Sequence, residues 1–504
     1  MNPKFAELKN RLSEIHDLVK IGWILNWDLQ TMMSARGGAV RAEQAATIQK
    51  VAHEKLTDPA LGRLLDDLRD EEARLPYDSD EASLIRVARR DYEKAVKVPV
   101  ALRAEITRTA ALARQAWARA RQEADFQQFL PHLQKTIDLK HKYIECLADD
   151  HTAAAYDVLL DEFEPEMKTA EVQAIFDALK AELIPFIAAL RERQDAVSDA
   201  PLHGRFPVER QKTFCWDLIE TLGARRESWR LDPTVHPFAS NSATQDIRIT
   251  TRYYEHFINP ALFGAMHEFG HGLYEHQVSP SLERTPLCRG ASLGLHESQS
   301  RLWENLVGRS RPFWQFMYPR LQAAFPEQFA AIDLETFYRA INKVQPSFIR
   351  VEADEATYAL HIILRFELEQ DMLEGRLPLR EVPEAWNARF KQYFGLDVPN
   401  DAAGVLQDIH WSGGMVGYFP TYALGSLMSA QIWEQVLADL PDLNDQLARG
   451  EFAALRAWLR DRLHQHGRKF SPQETLRRVV GGPLDIGPFM RYLKTKFGEI
   501  YGLN

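Results

Sequence analysis

Cysteine is scarce in this 504-residue chain: Cys146, Cys215 and Cys288 are the complete set, widely spaced and odd in number. They make neither a disulfide framework nor a thiolate zinc site. A reducing compartment, the cytoplasm, is the expectation, and any metal must rely on histidine and carboxylate ligands. Long apolar runs are missing as well. None approaches the length of a membrane span, and residues 1–18 run through Asn2-Pro3 into a charged amphipathic helix with no signal-peptide core. An excess of positive charge is also absent. The net charge is −10 and the pI near 5.9, which argues against a general nucleic-acid binder. There is no Gly/Ser linker, no low-complexity tract and no repeat of fixed period. Length alone would suggest two to four domains, yet one continuous body over residues 1–504 is the economical reading.

What the chain has is helical periodicity. Amphipathic helices are expected near 3–20, 39–56, 59–74, 80–97, 99–123 and 126–150, and another opens at Thr169 with Pro185 inside it. Arginines 103–121 read as a solvated helix face. Between Trp229 and Phe257 the pattern changes. Pro233, Pro237, Asn241 and Ser242 precede the alternating, β-branched Ile247-Arg248-Ile249-Thr250-Thr251, which reads as a small antiparallel sheet. Helices resume near 296–309, 312–323, 334–343, 352–374, 383–393, 424–439, 450–466 and 487–499. The fold class is therefore mainly α with one minor sheet.

The most informative stretch is Pro260 to Glu275. Asn259-Pro260 suits a helix entry. Leu262, Met266, Phe269 and Leu273 form one apolar stripe. His267 and His271 point away from that stripe, one turn apart. Two imidazoles so placed can share one zinc ion, and Glu268 lies where a carboxylate can take a proton from a metal-activated water. The same residues would also suit a helix with two solvent-facing histidines. A hydrolytic zinc needs a third ligand and an open position. Glu297, in His296-Glu297-Ser298-Gln299, follows His271 after a loop and a return helix. Glu275 is the rival, but three ligands on consecutive turns of a straight helix diverge from a tetrahedral centre.

Several stretches taken in order resemble the signatures of the M32 family of metallocarboxypeptidases, the carboxypeptidase Taq family. They are His236-Pro237-Phe238, Asp246-Ile247-Arg248-Ile249-Thr250, His267-Glu268-Phe269-Gly270-His271 and His296-Glu297-Ser298-Gln299. Ile349-Arg350-Val351-Glu352-Ala353-Asp354 and Gly404-Val405-Leu406-Gln407-Asp408-Ile409-His410-Trp411 follow. Trp27-Asp28 and the closing Ile500-Tyr501-Gly502 extend the likeness over nearly the whole chain. One departure is Met32-Met33-Ser34-Ala35, where a Met-Pro pair is expected.

The resemblance implies a mostly helical, two-lobed fold with a deep groove, homodimeric, that removes single residues from peptide C-termini. It implies broad side-chain tolerance and poor action at C-terminal proline. It places the metal ligands on His267, His271 and Glu297 and the general base on Glu268, with zinc as the default ion and cobalt or manganese as substitutes.

Other roles are read from chemistry. A carboxylate clamp calls for an arginine fork. Arg350 is the first choice and Arg248 the second, although Arg350 could instead form a buried pair with Glu352, Asp354 or Glu355. An oxyanion donor can come from His410, Tyr418 or Tyr422. Asp408 or Asp354 can orient a ligand imidazole, and His236 can line the groove.

Overall fold

The computed structural model describes residues 2–150 and 152–503. These form two compact units, each assembled from three stretches of chain. The first comprises Met1–Val96, Ser198–Ile341 and Ser429–Pro483; the second comprises Lys97–Val197, Asn342–Met428 and Leu484–Asn504.

In the first unit the opening helix runs Pro3–Thr31, a full three turns beyond the expected end at 20, because nothing in Ile21–Thr31 breaks it. Its N-terminal half buries Phe5, Leu8 and Leu12 against Leu61, Leu64, Leu65, Leu84 and Ile85. Its C-terminal half brings Trp27 under the guanidiniums of Arg230 and Arg248, 4.7 and 4.4 Å from the ring centre. The next helix, Gly38–Leu56, buries only Ala52.

Three strands follow: β1 (Trp229–Pro233), β2 (Ala239–Ala243) and β3 (Asp246–Thr251). Their order is β1-β3-β2, with β1 parallel and β2 antiparallel to β3. The sheet is thus mixed rather than antiparallel. The chain leaves β1, forms the hairpin β2-β3 beyond it, and returns β3 into the middle, so β1 and β3 run the same way. A register irregularity between Asn241 and Ala243 marks β2.

The helix after the sheet spans Asn259–His276. It begins one residue earlier than the sequence suggests. Ile258 takes the cap position, and the Asn259 side chain makes no capping bond. Leu262, Met266, Phe269 and Leu273 are all at most 2% exposed. Phe269 packs on Trp229 and Trp303, with ring centres 5.3 and 5.1 Å away. Two glycines let this helix sit close on both sides. A Cβ on Gly272 would fall 2.6 Å from Trp229, and one on Gly270 would fall 2.4 Å from the carbonyl oxygen of Gln299.

In the second unit, the helix Tyr358–Leu373 is buried on every side, including Arg365 and Glu369. The sequence reading starts it near 352, but a separate short turn occupies Arg350–Glu352. Helices at Val208–Leu222 and Pro472–Val480 have no counterpart in the sequence reading.

Candidate metal centre

The return helix Leu293–Arg301 opens on Ser292, whose hydroxyl accepts from the Leu295 N–H, and passes directly into a π-type turn at Leu302–Val307. Such wide turns recur at functional sites. Here the turn carries Glu304, one step beyond Glu297 and Arg301 on the same wall.

Glu297 divides its oxygens. Oε1 accepts from Arg301 Nε at 2.7 Å, while Oε2 faces His267 Nε2 at 3.6 Å and His271 Nε2 at 3.4 Å. The three ligand atoms all lie within 4.8 Å of one another. Two ligands about 2.0–2.1 Å from a tetrahedral zinc ion stand about 3.3–3.4 Å apart, close to both carboxylate–imidazole separations. A second observation fits a metal with a reactive water beside it: Glu268 is 5% exposed, and its Oε2 is buried without a hydrogen-bond partner. A buried carboxylate oxygen with nothing to accept from is costly unless a ligand serves it. The residues present therefore fit a divalent ion.

The charges agree. Burial opposes a charge on His267, but Glu297, Glu304 and Glu268 outweigh it and raise the imidazole to about 9. Burial pushes His271 down to about 4 and Glu268 up to about 7. Against burial, Arg301 and the two imidazoles hold Glu297 well below the ordinary carboxylate range. The metal-free pocket thus keeps a proton on His267, which a divalent cation would displace.

Each imidazole is held from behind. His267 Nδ1 lies 2.8 Å from Glu304 Oε2, and Glu304 also pairs with Arg301 at 3.2 Å. His271 Nδ1 lies 2.7 Å from His296 Nδ1, and His296 Nε2 lies 2.8 Å from Glu275 Oε1. Glu275, weighed as a rival ligand, is outside the ligand group and sits behind it. Asp408 and Asp354 are the sequence candidates for this backing, and the structure supplies Glu304 and His296 instead. The signal for Glu304 is its seven-residue spacing from Glu297, about two turns along one continuous helical run.

Close helix packing holds the two imidazoles and Glu297 in register, since Gly270 sits against the backbone of Gln299 and Ser300, next to Glu297. Gly270→Ala must push that backbone away. It is expected to cost about 1–3 kcal/mol and to weaken metal binding, read by thermal melting and metal titration.

Arg248 pairs with Asp246 at 2.8 Å as well as covering Trp27. His236 is exposed in the loop between β1 and β2.

The second unit gathers Arg350, His410, Tyr418 and Tyr422. Arg350, 5% exposed, donates through Nε and Nη2 to Asp408 Oδ1 at 3.0 and 2.8 Å and through Nη1 to the Tyr358 hydroxyl at 2.9 Å. The carboxylate it pairs with is thus Asp408 rather than Glu352, Asp354 or Glu355. Arg365 donates from Nε to Asp408 Oδ2 at 2.7 Å, so two buried guanidiniums share one carboxylate. Against burial, both arginines hold Asp408 far below the ordinary carboxylate range. Asp354 instead accepts from the Ala356 and Thr357 N–H groups at 3.0 Å. His410 Nε2 lies 3.1 Å from the Tyr422 hydroxyl, and the Tyr418 ring centre is 5.4 Å from that of His410. Arg365 escaped the sequence reading. Its signal was a lone arginine in an otherwise apolar helical run.

A mainly helical protein with two half-buried histidines and a buried glutamate converging beside an unserved glutamate oxygen has the constitution of a metal-dependent hydrolase. The profile of the Carboxypeptidase Taq (M32) metallopeptidase family matches residues 7–497. Thermostable carboxypeptidase 1 of Thermus thermophilus is 39% identical over 494 residues, 96% of each chain. Carboxypeptidase 1 of Bacillus subtilis is 36% identical over 99% of this chain and 98% of its own. The crystal structure of the M32 carboxypeptidase from Deinococcus radiodurans R1 superposes with a TM-score of 0.94 at 38% identity, covering 99% of this chain and all of that one. The chain belongs to the M32 metallopeptidase family, and it is a metallocarboxypeptidase, a peptide hydrolase.

Proposed function

We propose a zinc-dependent carboxypeptidase that releases single C-terminal residues with broad side-chain tolerance and acts poorly on C-terminal proline. The observation that supports it most is the convergence of His267 Nε2, His271 Nε2 and Glu297 Oε2 beside the unserved Oε2 of Glu268. The donor set of two imidazoles and one carboxylate suits zinc, with cobalt or manganese able to substitute. When bound, such an ion acts as a Lewis acid and makes a water acidic near neutral pH. Glu268 takes the proton of the attacking water at Oε2 and returns it to the leaving amine. Its buried setting, which raises it to about 7, suits a group that must both accept and release a proton. His410 and Tyr422, with Tyr418 beside them, are the donors proposed for the developing oxyanion.

Arg350 is the proposed anchor for the substrate carboxylate. Arg248 is neutralised one to one by Asp246, whereas Arg350 and Arg365 share Asp408, so that trio retains a net positive charge. A peptide and its C-terminal amide separate this reading from an endopeptidase with the same metal chemistry. The amide is expected to lose at least about tenfold in kcat/KM, in line with the loss of a charged hydrogen bond. Equal rates would discard the clamp.

A homodimer is proposed as the working form. Val19, Ile21 and Leu29 are exposed on the first helix, Met32 at its C-terminal cap and Val40 on Gly38–Leu56, which buries almost nothing within its own chain. Light scattering of the full chain tests it. Peptides are the proposed substrates and the cytoplasm the proposed compartment, in keeping with three unpaired thiols. Among the described residues no helix is long and apolar enough to cross a membrane.

A further inference from the structure

The two histidines are backed differently. His267 meets a carboxylate directly, but His271 meets another imidazole, and two neutral imidazoles in contact leave the protonation pattern open unless something beyond them decides it. Both Nδ1 atoms lie on that 2.7 Å contact, which holds one proton. His296 presents its other nitrogen, Nε2, to Glu275 Oε1 at 2.8 Å.

Glu275 is 8% exposed and accepts from three directions. The Gly290 N–H donates to Oε1 at 3.0 Å, and the Asn241 amide donates to Oε2 at 3.3 Å. A carboxylate held by donors can only accept, so the proton of His296 belongs on Nε2. Its Nδ1 is then a lone pair, and His271 must donate to it. That leaves the lone pair of His271 on Nε2, the atom facing Glu297.

The direction of Asn241 is fixed in turn. Lys20, 5% exposed, donates to Asn241 Oδ1 at 2.9 Å, so the amide nitrogen is the end that reaches Glu275. Asn241 sits at the irregularity in β2 and is the one buried residue of that strand. Gly290 is required as well, because a Cβ there would stand 2.6 Å from His296 Cδ2. With His296 a neutral imidazole, every link from the ammonium to His271 has one polarity.

We propose that Lys20, Asn241, Glu275 and His296 are positioning residues that set the tautomer of His271 and present its Nε2 lone pair to the metal. Hydrogen bonds behind a metal-bound imidazole fix its tautomer and ring orientation, and their loss typically costs about 10–100-fold in metal affinity. What is particular here is the length of the chain, which places its control on the first helix of the protein. The inference rests on His271 being a ligand, as proposed above.

The test is zinc transfer from the full-length protein to a chromophoric chelator. Lys20→Met and Glu275→Gln are each expected to weaken zinc binding by about tenfold or more, and Lys20→Arg, which keeps a cationic donor, is expected to recover most of it. A purely structural role for Lys20 would lower the melting temperature without moving zinc affinity. His271→Ala runs alongside. Wild-type affinity in that variant would overturn the ligand set itself. Loss of zinc there, with affinity unchanged in folded Lys20→Met and Glu275→Gln, would overturn the chain alone. Should the variants fail to fold, nitrogen-15 NMR of the zinc-loaded wild type decides: protonation of His296 at Nε2 and not at Nδ1 is expected, and a proton on Nδ1, with or without one on Nε2, overturns the proposal.

Discussion

Replacing Glu268 with Gln is expected to lower kcat by about a thousandfold, within the range of a lost general base, while the protein still carries one metal ion per chain. The swap keeps the size of the side chain but removes its ability to hold a proton reversibly. It breaks no bond at Oε2, which has no hydrogen-bond partner among the described residues. The proposed ligands His267, His271 and Glu297 are untouched. A variant that keeps its metal and most of its turnover would remove Glu268 from the proton-transfer role.

The same substitution has a signature in the metal-free protein. Burial raises Glu268 from the usual 4.5 to about 7, so the folded chain binds this proton more tightly than the unfolded chain does. Stability from this group is fully present below the unfolded value and is lost as pH rises from about 4.5 through 7. Glutamine carries no such charge. Metal-free Glu268→Gln is therefore expected to melt higher than metal-free wild type above pH 7, with the gap closing towards pH 4.5.

Glu297→Gln is expected to weaken metal binding by at least about a hundredfold, roughly one ligand's share of a zinc site's binding free energy, and to abolish turnover at trace metal. Gln can still accept from Arg301 through Oε1, so the wall of the site survives. What is lost is the negative oxygen between the imidazoles. Metal analysis after gel filtration, followed by activity at added zinc, separates the two consequences. Retention of full metal content would place the third ligand elsewhere.

The paired histidines and the apolar stripe behind them were legible because both follow from the 3.6-residue period of one helix. The mostly helical body was legible for the same reason. Gly270 stood in the sequence, but its purpose is a contact with a helix some thirty residues later. Glu275 was visible only as a carboxylate one turn past His271. Nothing local says that its partner is His296, or that Lys20 reaches it through Asn241. The parallel pairing of β1 with β3 depends on how the intervening strand is placed. By sequence alone Asp408 and Asp354 are equal candidates to support an imidazole. The commitment of Asp408 to Arg350 and Arg365 follows from the burial of the Tyr358–Leu373 helix, where an arginine must find a counterion.

One ion is proposed to sit between His267, His271 and Glu297. Anomalous diffraction at the zinc edge, from crystals of the zinc-loaded full chain, locates it. The expected result is a single strong peak per chain, about 2.0–2.2 Å from His267 Nε2, His271 Nε2 and Glu297 Oε2. Stoichiometric zinc with its peak elsewhere, or with no density between these three atoms, would contradict it.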